Sequence, residues 1–179
     1  VTCAEASEAD GGMCYSRTAT AAGCDFLGLT ARSLGTGRVC TVGLIESFGG
    51  IGGGRRALEI LGITPAVRIH IETDAGANRV VSAQYPDAIG LGDITEIKDT
   101  DLRLSVSRKT TVTHLLHSSG PPCQNVSGLN PSGGGVDGSK SKLVRALPQL
   151  RSQIRKVFPH AVHGDLCEMV ASLSQENQE

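Results

Sequence analysis

The chain has 179 residues, 39% hydrophobic and 20% charged, which suits one domain with a real core and lies outside the composition of a disordered chain. No stretch approaches ~18 uninterrupted apolar residues, which excludes a membrane-spanning helix, and 23 glycines with 3% aromatics point to an α/β domain rather than an all-β sandwich. The net charge of −1 is unevenly spread: residues 1–102 carry 8 Lys/Arg against 13 Asp/Glu, while residues 103–156 carry 9 Lys/Arg against the single Asp137.

Residues 1–38 are rich in Ala, Gly, Ser and Thr and lack a period of 2 or 3.6, so they read as a flexible leader or linker. Val39 to Ile45 is an apolar run, the pattern of a buried parallel strand. It feeds the cluster Gly49-Gly50-Ile51-Gly52-Gly53-Gly54 and a helix from Arg55 to Leu61, with Gly62 as C-cap. Val67 to Ile71 is a second strand. Asp74 is placed to cap a helix whose apolar positions Ala77, Val80, Val81 and Tyr85 recur at helical spacing, with Gln84 a polar exception. Ala88 to Leu91 and Val112 to Leu116 are the third and fourth strands, the latter followed by a Gly/Pro/Ser loop from Ser118 to Ser139. Ser141 to Phe158 carries Leu143, Leu147, Leu150, Ile154 and Val157 on one helical face, and Pro148 kinks or starts that helix. Ala161 to Cys167 is a fifth strand, and the tail from Ser172 is polar.

Strands alternating with helices predict an α/β fold with a doubly wound, mostly parallel sheet, in which ligands bind beyond the carboxyl ends of the strands. Every chemistry-bearing motif follows a predicted strand. The glycine loop lets a backbone approach a cofactor closely and opens a helix N-terminus; the same loop also serves as a tight structural turn. Glu72 ends the second strand, 19 residues past Gly53, where an acid can accept hydrogen bonds from ribose hydroxyls. Asp93 follows the third strand, placed either to accept an adenine amine or to cap a helix. Gly120-Pro121-Pro122-Cys123-Gln124 holds a thiol in a stiff loop after the fourth strand, a candidate nucleophile near the basic segment. That segment suits a phosphate-bearing partner or a solvated basic helix alike. The six cysteines and five histidines show no zinc-ligand spacing, so no metal is expected, and a reducing compartment is expected over a disulfide framework.

Ser47-Phe48-Gly49-Gly50-Ile51-Gly52-Gly53, Glu72, Gly92-Asp93-Ile94 and Gly120-Pro121-Pro122-Cys123-Gln124 resemble, in order and spacing, the cytosine-C5 DNA methyltransferase family. Ser141 to Leu143 resembles that family's next motif, and Cys167-Glu168-Met169-Val170 resembles its Glu-Asn-Val motif. The likeness spans roughly residues 39–172. It implies a Rossmann-like methyltransferase fold and S-adenosyl-L-methionine as cofactor. Phe48, Gly50, Ile51 and Gly52 would line the cofactor site, Glu72 would hold the ribose and Asp93 the adenine, and Pro122 and Leu143 would pack beside it. Cys123 would attack C6 of a cytosine flipped out of DNA, and Glu168 would protonate N3.

Met169 stands where the family has Asn. The family's distal Arg motif, target recognition domain and last strands have no counterpart, so residues 39–179 read as a partial catalytic domain. Two further outcomes stay open within the family: a catalytically inactive paralogue, and an RNA substrate such as tRNA. A nicotinamide-dependent oxidoreductase using the glycine loop is the rival outside it. The resemblance places the protein in a nucleus, or in the cytoplasm of a prokaryote, without a membrane partner.

Overall fold

The computed structural model describes residues 40–106, 111–125, 127, 138 and 140–168. The expected leader over 1–38, the Gly133–Gly135 run, Met169 and the polar tail lie outside them. The elements run β1 (Val42–Ser47), α1 (Gly53–Ile60), β2 (Val67–Ile71), α2 (Ala75–Gln84), β3 (Ile89–Leu91), α3 (Asp99–Leu104) and β4 (His114–Ser119), then a 3₁₀ helix (Ser141–Ala146), α4 (Leu147–Val157) and β5 (Val162–Cys167).

The strands pair in the order β3-β2-β1-β4-β5, and every pairing is parallel. This is the doubly wound, Rossmann-like α/β arrangement. The chain winds outward from β1 to β3, then returns to lay β4 on the other side of β1. The crevice beyond the carboxyl ends of β1 and β4 is therefore the switch point of the sheet.

Burial follows that order. All six residues of β1 are buried, as a central parallel strand requires. At the edges β3 and β5 are largely open, and Val162 and Leu166 of β5 are exposed. One face of the sheet packs Ile45, Ile69, Ile71 and Leu115 against Leu102 of α3 and Leu147, Leu150 and Ile154 of α4. The other packs Leu44 and Leu116 against Leu58 of α1. On that second face α1 also meets the end of α2, where the Arg55 guanidinium stacks 5.4 Å from the Tyr85 ring.

Local chemistry sets the boundaries. Gly62 adopts φ 73 after α1, its N–H bonding Glu59 while Ile63 N–H bonds Leu58, which is a Schellman ending. Asp74 caps α2 through Ala77 N–H at 2.7 Å. The helix expected over 141–158 starts as the 3₁₀ turn and becomes α-helical at Leu147, with Pro148 in the first α turn, where its missing N–H costs nothing. Among the described residues no helix is long and apolar enough to cross a membrane.

Candidate active site

The parallel register lines up one row of residues across the sheet: Leu91 of β3, Ile71 of β2, Ser47 of β1, Ser119 of β4 and Cys167 of β5. The next residue on each strand is Gly92, Glu72, Phe48, Gly120 and Glu168. Four of these continue the ladder by one bond: Glu72 N–H to Leu91 O at 3.2 Å, Phe48 N–H to Ile71 O at 2.9 Å, Gly120 N–H to Ser47 O at 3.2 Å and Glu168 N–H to Ser119 O at 2.9 Å. Residues scattered over 120 positions of sequence thus meet along a single edge.

Phe48 marks the centre of that edge. It adopts φ 55, the only non-glycine residue with positive φ among the described residues. Such a backbone costs about 1–3 kcal/mol and persists where surroundings enforce it, commonly at ligand sites. Gly49 follows so closely over the sheet that an added Cβ would lie 2.5 Å from the His70 ring.

Two cavities flank Phe48 and Gly120, which border both. The first, of about 270 Å³, is lined by Phe48, Ile71, Glu72, Thr73, Gly92, Asp93, Ile94, Gly120, Pro122, Gln124 and Leu143. The second, of about 370 Å³, lies over the glycine turn and is lined by Glu46, Ser47, Phe48, Gly49, Gly53, Gly54, Ser118, Ser119, Gly120 and Glu168. A larger cavity of about 600 Å³ sits elsewhere, between the end of α3 and the end of α4 around Leu104 and Phe158. It contains none of the sequence-predicted site residues.

Five predicted cofactor residues, Phe48, Glu72, Asp93, Pro122 and Leu143, therefore share the first cavity. The glycine-loop residues take other places. Ile51 is 64% exposed and lines neither cavity. Gly52 is the N-cap of α1 at φ 86, with Tyr85 so near that a Cβ would touch its ring at 3.1 Å. Gly50, at φ 53, donates its N–H to Glu72 Oε2 at 2.9 Å and so ties the turn to the acid.

Glu72 is held rigidly: its Oε1 accepts the Thr73 and Asp74 N–H groups at 2.8 and 2.9 Å. Asp93 Oδ1 accepts the Thr95 N–H at 2.8 Å and its hydroxyl at 2.7 Å, bonds that hold the carboxyl below its ordinary pKa. Its Oδ2 takes neither of these bonds.

Cys123 is a half-buried free thiol in a loop fixed at both ends. Its carbonyl accepts the Ser127 N–H at 2.9 Å. Asn125 Oδ1 accepts the Lys140 and Ser141 N–H groups at 3.1 and 3.3 Å, binding the cysteine loop to the start of the 3₁₀ helix that carries Leu143. Sequence reading missed this role of Asn125, since an Asn-X-Ser triplet alone does not indicate which backbone groups it meets. Glu168 leaves the end of β5 beside β4, and its Oε2 lies 3.9 Å from where a Cβ on Gly120 would stand. The thiol and the acid thus emerge from neighbouring strands at one edge, Cys123 beside the first cavity and Glu168 in the second.

Glu46, unnoticed in the sequence, occupies the N-terminus of α1. Its Oε1 accepts the Gly54 and Arg55 N–H groups at 2.8 and 3.2 Å. Burial raises its pKa, partly opposed by those two bonds and by the Arg55 charge. At least three of the nine basic residues of the 103–156 segment are internally paired. Lys156 pairs with Asp99 at 3.1 Å, and Arg151 and Arg155 with Asp165 at 3.2 and 3.7 Å. Among the described residues no three His, Cys, Asp or Glu side chains gather as a metal site.

The chain is similar in structure to the Dnmt2 methyltransferase of S. pombe. The crystal structure of that protein aligns with 20% sequence identity and a TM-score of 0.42, covering 73% of this chain and 34% of that one. The chain thus spans about a third of its length. No family model and no curated protein sequence matches the chain.

Proposed function

We propose that this chain carries the cofactor site and the nucleophile of a cytosine-C5 methyltransferase acting on DNA, with S-adenosylmethionine as methyl donor. The observation that supports it is the shared cavity: Phe48, Glu72, Asp93, Pro122 and Leu143 come from separate segments to one cleft, and Pro122 sets Cys123 at its rim.

The residues present suit that donor. Asp93 Oδ2 is open to an adenine amine, and Glu72 Oε2, which takes one N–H from Gly50, has acceptor capacity left for a ribose hydroxyl. The N-terminus of α1, which would bind the pyrophosphate of a nicotinamide dinucleotide, already holds the Glu46 carboxylate. An incoming pyrophosphate would displace or repel that buried acid. A donor without phosphates has no such conflict.

When bound, the donor supplies an electrophilic methyl group on a sulfonium. The chain's own part is to make C5 of cytosine nucleophilic. The Cys123 thiolate adds to C6 as the Glu168 carboxyl gives its proton to N3, leaving an enamine with electron density at C5. After methylation, the C5 proton passes to solvent water, the N3 proton returns to Glu168, and elimination of the thiolate restores the aromatic ring and frees Cys123. The base must first leave the duplex, at a cost of a few kcal/mol.

Binding of tritiated S-adenosylmethionine and of NAD to the whole chain and to Asp93→Ala tests the reading. The expected result is binding of the former alone, weakened about tenfold by loss of a hydrogen bond to a charged group. Binding of NAD without S-adenosylmethionine overturns it.

A further inference from the structure

One to three rows inward from the site, three polar side chains form a chain across β1, β4 and β5. Ser47 Oγ lies 2.9 Å from His117 Nε2, and His117 Nδ1 lies 3.0 Å from Asp165 Oδ1. Asp165 continues the chain to Arg151 and Arg155 of α4. Ser47 and His117 are 1% and 2% exposed, so the imidazole is held away from water.

The order of atoms is that of a hydrolytic Ser-His-Asp triad, yet the environment rejects that use. Ser47 alternates onto the same sheet face as Ile45, beneath α3 and α4, and although the residue borders the cavity over the glycine turn it is only 1% exposed. Its burial leaves the hydroxyl closed to an acyl substrate. Its bond to His117 serves some other purpose.

That purpose lies in β5. A strand's register is strongly specified when one of its faces is buried, and weakly when it is not. Among the described residues β5 pairs with β4 alone, and it has no buried residue and contains Gly164. Its apolar side chains therefore do little to choose between one pairing with β4 and a pairing slipped by two residues. A buried polar contact does choose, because a slip would take Asp165 away from His117 Nδ1 and leave that nitrogen, on a side chain 2% exposed, without its partner. The registered pair His117–Asp165 lies three residues before Glu168.

We propose that His117 is a positioning residue, which through Ser47 and Asp165 fixes the register of β5 and so holds Glu168 over Gly120. The proposal rests on the reading of Glu168 as the acid at the target base, but its structural half stands apart from that reading. The neutral imidazole carries its proton on Nδ1, donating to Asp165, and accepts the Ser47 hydroxyl at Nε2.

The test uses the full chain with His117→Leu, which removes both bonds, and His117→Asn, whose amide can restore the donor to Asp165. Two readouts are followed: hydrogen exchange at the Leu166 and Glu168 amides, and the rate of adduct formation with a 5-fluorocytosine DNA oligonucleotide. His117→Leu is expected to lose protection at those amides while β1 and β2 keep theirs, and to slow the adduct about ten- to a hundredfold, as for other supporting partners of a functional group. S-adenosylmethionine affinity should hold within about threefold, and His117→Asn should recover most of both losses. Should His117→Leu not fold, Asp165→Ala on the open edge strand is read in the same way. Unchanged protection in β5 overturns the proposal. If the wild-type chain forms no adduct, the reading of Glu168 falls, and the exchange data alone decide the positioning role.

Discussion

The Gly54 N–H donates to Glu46 Oε1 at 2.8 Å, joining the first turn of α1 to the buried end of β1 by the chain's own carboxylate. A second donor, Arg55 N–H, reaches the same oxygen. Glu46→Ala leaves both N–H groups without that acceptor, and a buried donor without a partner costs about 1–3 kcal/mol. Urea unfolding should show a loss of that size, with Glu46→Gln losing less because an amide oxygen still accepts. Equal stability of Glu46→Ala and the wild type would show that the cap contributes nothing.

Two glycines, one in the turn and one at the start of α1, should respond in opposite ways to alanine. At Gly49 a Cβ would meet the His70 ring at 2.5 Å, and that ring is packed rather than free to swing aside. At Gly53, the first residue of α1, a Cβ meets nothing within 4 Å. Gly49→Ala should lose about 1–3 kcal/mol through overpacking, and with it affinity for S-adenosylmethionine. Gly53→Ala should be neutral or gain up to about 1 kcal/mol from helix propensity. Thermal melts and cofactor titrations of the pair check this, and a tolerated Gly49→Ala would mean the turn does not press on β2.

The pH dependence of stability follows from two buried imidazoles. Burial lowers the pKa of His70 and of His117 below the ordinary 6.5, although Glu72 and Asp165 respectively pull the other way. Below that pH the unfolded chain binds protons that the folded chain refuses, so stability is full above it and declines as pH falls toward the folded values. Glu46, raised above 4.5, acts in the opposite sense and adds stability only as pH falls through its own range. Among the described residues neither ring nitrogen of His70 has a well-formed hydrogen bond, although the nearby Gly50 backbone also favours its charged form. His70→Leu should therefore be more stable than wild type above pH 6.5 and lose less on acidification, as read by urea midpoints across the range. A steeper acid loss in the variant would contradict this.

The fold was legible wherever burial imposed a period. Val67 to Ile71 reads as a strand and is one, residue for residue, because apolar Val67, Ile69 and Ile71 alternate along it and it ends at an acid. α3 went unread: Asp99–Leu104 is six residues with Leu102 alone buried, too short and polar to show a helical period. The first cavity was legible because its residues follow strand ends, and parallel pairing aligns those ends. Glu46 and the Ser47–His117–Asp165 chain were not. Their partners lie on other elements, up to 70 positions away in sequence, and nothing local to a polar residue in a strand says what it will face.

In the proposed function a thiol at the carboxyl edge of β4 would attack an extruded cytosine. Mass-spectrometric mapping of the chain after incubation with S-adenosylmethionine and a 5-fluorocytosine oligonucleotide, offered as DNA or as RNA, tests this most directly. Fluorine at C5 blocks the final proton loss, so the thioether to C6 should persist on the peptide containing Cys123, on DNA in preference to RNA, and vanish in Cys123→Ala. A folded chain that binds S-adenosylmethionine yet leaves Cys123 unmodified by either oligonucleotide would contradict it.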